Sequence, residues 1–227
     1  MCGRFQLSVT GKQISERFNT EVFDELYKPS YNCAPGQILP VIANSEPEKL
    51  QSFFWGFIPP WIKAGQPFKP LINSRAETIA VKPAFKNAFR TQRCIIPANG
   101  FYEWATAAGK QAYRIFLKSE DLFAMAGIWT SFTQYDGTIR QHFSIVTTEA
   151  NALMKPIHSR MPVILRPDEE QMWLFENDSE KLKKLLHPFP ADQLQKLAIS
   201  KRINAVKNDD ASLILPDVPQ RDLFSEL

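Results

Sequence analysis

The sequence predicts an α+β fold with a mainly antiparallel, barrel-like β-sheet core and helices on its outside. Three observations lead to this. Many apolar segments are short and alternate with period two, as half-buried strands do. Helical patterns are few and short, and they never alternate with strands as a parallel βαβ sheet requires. The chain has 227 residues, 44% of them hydrophobic and 22% charged, which suits one soluble core better than two.

Taken in order, Gly3 to Leu7 reads as a strand, and Thr10 as the cap of a helix running to Phe18 with Ile14 and Phe18 on one face. Pro29 to Gly36 reads as a turn-rich loop. Ile38–Ala43 and Lys49–Phe57 form an expected hairpin, and Pro59-Pro60 stops the second strand. Leu71 to Thr78 joins two apolar anchors to a dense polar cluster. A helix over Pro83–Arg90 buries Phe85 and Phe89. Arg93–Pro97, Phe101–Trp104 and Ala112–Leu117 read as strands. Leu122–Phe132 and Gln141–Thr147 flank an Asp136-Gly137 hairpin signal. Ala150–Met154 suggests a helical turn, and Arg160–Leu165 one strand. Pro167 with Asp168, Glu169 and Glu170 marks a helix start, since acids suit the positive end of the helix dipole. A helix over Ser179–Leu186, a last strand over Leu194–Ser200 and a tail from Pro216 complete the chain.

No apolar run approaches the roughly 18 residues of a membrane span, and the N-terminus lacks a basic-then-apolar signal pattern, so a cytoplasmic protein is expected. Cys2, Cys33 and Cys94 form no paired framework, which fits a reducing compartment. Three histidines and three cysteines show no ligand spacing, so no metal and no cofactor are expected. Nine basic residues between positions 61 and 115 face only Glu77 and Glu103. That local excess fits a polyanion partner, or equally a solvated basic face.

The most specific stretch is Met1-Cys2-Gly3-Arg4. Loss of Met1 would leave Cys2 with an α-amine and a thiol on one residue. With ordinary pKa values of roughly 8 and about 8.5, both have an accessible nucleophilic form near neutrality. Such an aminothiol condenses with an aldehyde to an imine and closes to a thiazolidine intramolecularly. Glu103, among aromatics in Gly100-Phe101-Tyr102-Glu103-Trp104, either points to solvent or is held inside for a reason; its place on the same strand face as Phe101 supports burial, and burial would raise its pKa and make it a proton donor. His158 precedes a strand in a loop, where catalytic residues concentrate. His142 and His187 carry no assigned role. Asn73 and Arg75 share one side of an extended segment. They either face a pocket or are structural, with Arg75 paired to Glu77. Trp61 follows two prolines and suits an exposed base-stacking surface, or a core position.

These motifs occur in one order: Met-Cys-Gly-Arg-Phe, Tyr31 to Gly36, Trp55 to Pro59, Asn73 to Thr78, Gly100 to Trp104, Ile157 to Pro162 and Asn204 to Asn208. In this the chain resembles the SOS-response-associated peptidase (SRAP) family across residues 2 to 216. The resemblance implies a single SRAP-like domain that senses abasic sites in single-stranded DNA. Cys2 would end as a thiazolidine crosslink to the ring-opened sugar. It assigns acid–base work to Glu103, sugar-ring protons and crosslink reversal to His158, and placement of Cys2 and sugar to Asn73. It assigns DNA or active-site contacts to Arg4, Arg75 and Arg160, a site wall to Pro35 and a stacking wedge to Trp61. Where many members carry a second aromatic after that tryptophan, this chain has Ile62. A weak lyase activity and autocatalytic removal of residues before Cys2 belong to the same expectation, as does a monomeric state. A thiol peptidase and a non-covalent single-stranded DNA-binding module are the competing classes. In the tail (217–227), Gln220, Asp222, Leu223 and Phe224 resemble the bacterial sliding-clamp-binding peptide, which suggests the clamp as a partner.

Overall fold

The computed structural model describes residues 2–23, 27–105 and 110–217. Five strands close into a barrel: β3 (Ile38–Ala43), β4 (Gln51–Trp55), β6 (Arg93–Ala98), β9 (Phe123–Thr133) and β10 (Ile139–Glu149). The ring runs β9–β10–β4–β3–β6 and returns to β9. Three short strands extend it. β5 (Asn73–Arg75) and β11 (Arg160–Pro162) join β10, and β12 (Ile164–Leu165) joins β9. A second sheet, wholly antiparallel, is ordered β13–β8–β7–β1–β2, from β13 (Leu194–Ile199), β8 (Gln111–Leu117), β7 (Gly100–Ala105), β1 (Phe5–Leu7) and β2 (Ser30–Cys33). Among the named strands, only the pairings of β10 with β4 and β5 are parallel, so the mainly antiparallel α+β expectation holds.

Period-two alternation sorts the barrel side chains into two cores. Val41, Ala43, Cys94, Ile96, Met125, Phe143 and Ile145 join Phe5, Leu7, Phe101 and Ile115 of the second sheet in one apolar core. Their neighbours Ile42, Ile95, Ala124, Ala126, Ile128 and Val146 point the other way. They meet side chains of the helices α2 (Ala76–Ile79), α3 (Lys86–Thr91), α4 (Pro167–Phe175) and α5 (Ser179–Lys184). Gly127 lies at a close approach inside the barrel. A Cβ there would lie 2.3 Å from Ile96 Cδ1 and 2.8 Å from Cys94 Sγ, so a larger residue would force those side chains to shift. A third, small core lies between the outer face of the second sheet and the 3₁₀ turns near 203 and 213. It holds Tyr102, Ala112, Ile199, Ile203 and Leu213.

Local chemistry explains most boundaries. Thr10 caps α1 (Gly11–Phe18) in a capping box with Gln13, and Asn19 ends it in the left-handed region. Pro167 opens α4 with three acids in its first turn. The β9–β10 hairpin turns at Gly137, with φ +82°, while Asp136 Oδ1 accepts from the Thr138 N–H. Two expectations are corrected. Ser30–Cys33 is a strand rather than loop, because it covers the edge of β1, and the turn waits until Pro35-Gly36. Arg160–Leu165 is two strands. At Val163 the chain passes from β10 to β9, donating to Val146 O and accepting from the Ala126 N–H.

Arg93 ties the helices to the barrel. It is 1% exposed, and all five of its guanidinium donors meet carbonyls: Phe89 and Arg90 at the end of α3, and Trp173, Leu174 and Glu176 at the end of α4. One cation thus satisfies the orphan carbonyls of two helix ends. Replacement by methionine leaves those carbonyls buried and unpaired. Arg93→Met is expected to lower unfolding stability by about 3 kcal/mol or more, seen as an earlier urea midpoint. Arg93→Lys, with three donors, is expected to recover only part of the loss.

Candidate active site around Cys2

The site forms where β1 runs out against β7. Phe5 pairs with Phe101, and the Tyr102 N–H donates to Arg4 O at 3.0 Å. Continuing that register places Gly3 opposite Glu103. Phe101 points into the main core, Tyr102 into the small outer core, and Glu103 back toward the main core, as alternation requires. Cys2 is fully buried in the main core.

Asn73 reaches Cys2 from the other side. β5 lies parallel to β10 with Asn73 opposite Ile145, and Asn73 Nδ2 donates to Cys2 O at 3.0 Å. Its Oδ1 is buried with no partner among the described residues, which leaves an acceptor in the site. Glu103 is 3% exposed. Burial pushes its carboxyl above the ordinary range, and nearby positive charge, including His158, pulls it partly back. Burial also drives the Cys2 thiol far upward, and Glu103 adds to that shift. Burial thus disfavours the charged form of both groups.

His158 sits in a folded loop. Its N–H donates to Met154 O at 2.9 Å, and the Ala150 N–H closes the loop on Ser159 O at 3.1 Å. His158 Nδ1 accepts from the Arg160 N–H at 2.9 Å. Electrostatic coupling links Cys2 to Glu103 and Glu103 to His158, and a hydrogen bond links Cys2 to Asn73. These four sequence-selected residues thus share one site.

The expected DNA contacts divide. Trp61 is 54% exposed, and Arg75 and Pro35 are exposed as well. Arg4 and Arg160 have partners within the protein. Arg4 donates to Asn32 Oδ1 at 2.6 Å and Ile203 O at 2.8 Å, with Trp104 beneath it. Arg160 grips Glu77 and donates to Thr147 O. Glu77 does pair with an arginine, but with Arg160 rather than Arg75, which the sequence offered as its partner. A chain separation of 83 residues hides that pairing from local reading. Two motifs also meet where no role had been assigned. Asn32 donates to Ala205 O and Asn208 O, joining the Tyr31–Gly36 and Asn204–Asn208 stretches under Arg4. Of the nine basic residues between 61 and 115, Arg93 and Arg114 are interior, and the other seven are exposed. His142 is a core residue whose Nδ1 meets Gly56 O at 2.9 Å, between the rings of Phe54 and Phe132. The tail residues Gln220, Asp222, Leu223 and Phe224 lie outside the described residues.

A cavity of about 1210 Å³ lies elsewhere, between α1, the 118–123 turn and the start of α4. Its charged lining mixes signs, and none of Cys2, Asn73, Glu103 or His158 touches it. No helix among the described residues is long and apolar enough to cross a membrane.

Comparison with known proteins places this geometry in context. The family model described as SOS response associated peptidase (SRAP) matches residues 1–206. The chain is 41% identical to the abasic site processing protein YoqW of Bacillus subtilis, over 94% of this chain and 99% of that one. It is 32% identical to the abasic site processing protein YedK of Escherichia coli, over 95% and 100%. The crystal structure of a Bacteroides thetaiotaomicron protein superposes with a TM-score of 0.86 at 26% identity, covering 96% of this chain and all of that one.

The raised Glu103 carboxyl has a stability signature. A carboxyl whose folded pKa exceeds its unfolded value favours folding while both states are protonated. That contribution is lost as pH rises through the folded pKa. Glu103→Gln is therefore expected to raise the melting temperature near pH 8, with the gain shrinking as pH falls toward about 4, where unfolded glutamates protonate. Thermal melts of both proteins across that range check it.

Proposed function

The chain belongs to the SRAP family, and on that premise we propose that it captures abasic sites in single-stranded DNA through a covalent bond to Cys2. The observation that carries the reading is the convergence on Cys2. Asn73 holds its carbonyl, and a buried Glu103, its carboxyl raised above the ordinary range by burial, lies within electrostatic reach of its thiol.

The chemistry balances as follows. With Met1 removed, the Cys2 amine adds to C1′ of the ring-opened sugar and gives a carbinolamine. Protonation of its hydroxyl by Glu103 expels water and leaves an iminium, whose N–H proton returns to the Glu103 carboxylate to give the imine. The Cys2 sulfur then adds to the imine carbon, and the thiol proton passes to the nitrogen, directly or through Glu103. The product is a thiazolidine, with one water lost overall. His158 supplies or takes the proton at the sugar-ring oxygen during ring opening and reversal. Asn73 orients the aminothiol, and its unpartnered Oδ1 suits a sugar hydroxyl or the amine. A low-dielectric site strengthens each of these hydrogen bonds and excludes water from the imine. An imine that escapes ring closure accounts for a weak lyase activity.

Seven exposed cations between 61 and 115, together with Trp61, suit a single strand, which is bound by charge and by base stacking. The thiol-peptidase reading is less well supported. A peptidase nucleophile is held as thiolate by a cationic partner, whereas burial and Glu103 both push Cys2 the opposite way. A pure binding module gives no reason to bury Glu103 beside Cys2.

Intact-mass analysis tests the capture. Protein lacking Met1, mixed with an oligonucleotide carrying one abasic site, is expected to gain the oligonucleotide mass minus one water, and the adduct survives denaturation. Cys2→Ala is expected to abolish the adduct and keep salt-sensitive binding. Adduct formation by Cys2→Ala at the wild-type rate would refute the assignment. For the tail, we propose that Gln220 to Phe224 dock on the sliding clamp, with Leu223 and Phe224 in an apolar pocket. Deleting residues 220–224 is expected to end clamp pull-down while leaving DNA capture intact.

A further inference from the structure

Glu103 lies within β7, and the second sheet gives it a neighbour on either side. On one side the β1 register sets Gly3 opposite it, and glycine has no side chain to cover a carboxyl. On the other side β8 sets Tyr113 directly opposite. Opposed residues of an antiparallel pair share one face, with Cβ atoms roughly 4.5–5.5 Å apart. The phenol ring is therefore the side chain that the sheet itself lays against Glu103. Tyr113 is partly buried and packs on the main core, whereas Glu103 is almost fully enclosed.

The same face runs on to the edge of the sheet. β13 is the last strand on that side, and it sets Ala198 opposite Tyr113 and Lys196 opposite Ile115. Ala198 is too small to take the place of the ring. Lys196 is exposed, and its ammonium reaches back to lie 5.5 Å from the centre of the Tyr113 ring. A cation over an aromatic face holds the ring in place. Carboxyl, ring and cation thus form a line from the site to solvent. The charged and titratable groups that act on Glu103 come from other directions. The amino terminus and Cys2 approach from the β1 side, and His158 from the loop before β11. The amino terminus and His158 pull the carboxyl down, and burial, the largest influence, pushes it up.

We propose that Tyr113 is a positioning residue whose ring walls Glu103 off from water on the β8 side and so keeps it fit to donate a proton during capture. This rests on the reading of Glu103 as the acid of that reaction. Gly3 leaves the opposite side open for the aminothiol of Cys2, so the two neighbours of Glu103 divide the work: one admits the nucleophile, and the other excludes solvent.

The test uses the full chain lacking Met1, labelled with ¹³C at the glutamate carboxyls. Glu103→Gln identifies the Glu103 signal by its loss. The titration midpoint of that signal is expected to fall by about one pH unit in Tyr113→Ala, part of the roughly 3–5 units that full burial can produce. Tyr113→Phe keeps the ring and is expected to titrate with the wild type. Tyr113→Thr, a good strand former, repeats the test should alanine loosen β8. Single-turnover capture of an abasic oligonucleotide gives the second readout. Above both midpoints, a drop of one unit leaves about tenfold less protonated acid, so Tyr113→Ala is expected to capture about tenfold more slowly there. Below both midpoints the two rates are expected to converge. An unchanged midpoint in the ring-less variants overturns the proposal, as does a loss of rate that is equal at every pH. Glu103→Gln also separates the two levels. Capture at the wild-type rate in that variant removes the reading of Glu103 as the acid, whereas the carboxyl titration decides the Tyr113 wall by itself.

Discussion

A strand has two edges, yet β10 hydrogen-bonds with four other strands. One edge pairs with β9 from Ile139 to Ile145 and then with β11 from Thr147 to Glu149. The other pairs with β4 at His142 and Phe143 and then with β5 from Ile145 to Thr147. Each edge is handed over once, near Ile145 and Val146. The first half of β10 closes the barrel, and the second half carries the site. Because β5 and β11 arrive on opposite flanks of the same few residues, Asn73 and the His158–Arg160 turn are brought together by one ladder. Register is thereby the controlling constraint. A slip of one residue in β10 would exchange the faces of Phe143 and Ile145 with those of Ser144 and Val146, scrambling both cores and the site together.

The sequence made the fold legible to the extent that local signals decide it. The Thr10 cap, the Asp136-Gly137 hairpin and the Pro167 helix start each rest on chemistry within a few residues, and each appears where that chemistry places it. Alternation in Phe101–Trp104 foretold that Glu103 turns inward. What stayed illegible depends on distant partners. Ser30–Cys33 becomes a strand only because β1 offers an edge. Val163 divides a strand only because two neighbours compete for it. The four site residues were marked by motif order. The partner of Glu77 and the conversion of Arg93 from a surface charge into an internal strut came only with the fold.

Electrostatically, the site disfavours the charged forms of its two acids, Cys2 and Glu103. Burial raises both Cys2 and Glu103, and the Glu103 carboxylate raises Cys2 further because a second negative charge in one apolar pocket is costly. Cations are kept in order nearby, with Arg4 held by Asn32 and Arg160 by Glu77. A thiol that keeps its proton, beside a carboxyl raised by burial, suits the proposed condensation, in which protons must arrive at oxygen and leave from sulfur at successive steps. The same arrangement is poor for a resting thiolate nucleophile.

The complete burial of Cys2 also bears on how long such a protein stays competent. Peroxides oxidise thiolates at exposed positions, and each oxidation step beyond sulfenic acid is permanent. Cys33 and Cys94 are buried and unpaired as well, so no described cysteine stands ready to form a disulfide with Cys2. In the proposed capture each molecule spends its one Cys2, so a thiol lost to oxidant is a molecule lost to that reaction. Enclosing the sulfur in the core, with its proton held by burial, keeps it from oxidant until it is used.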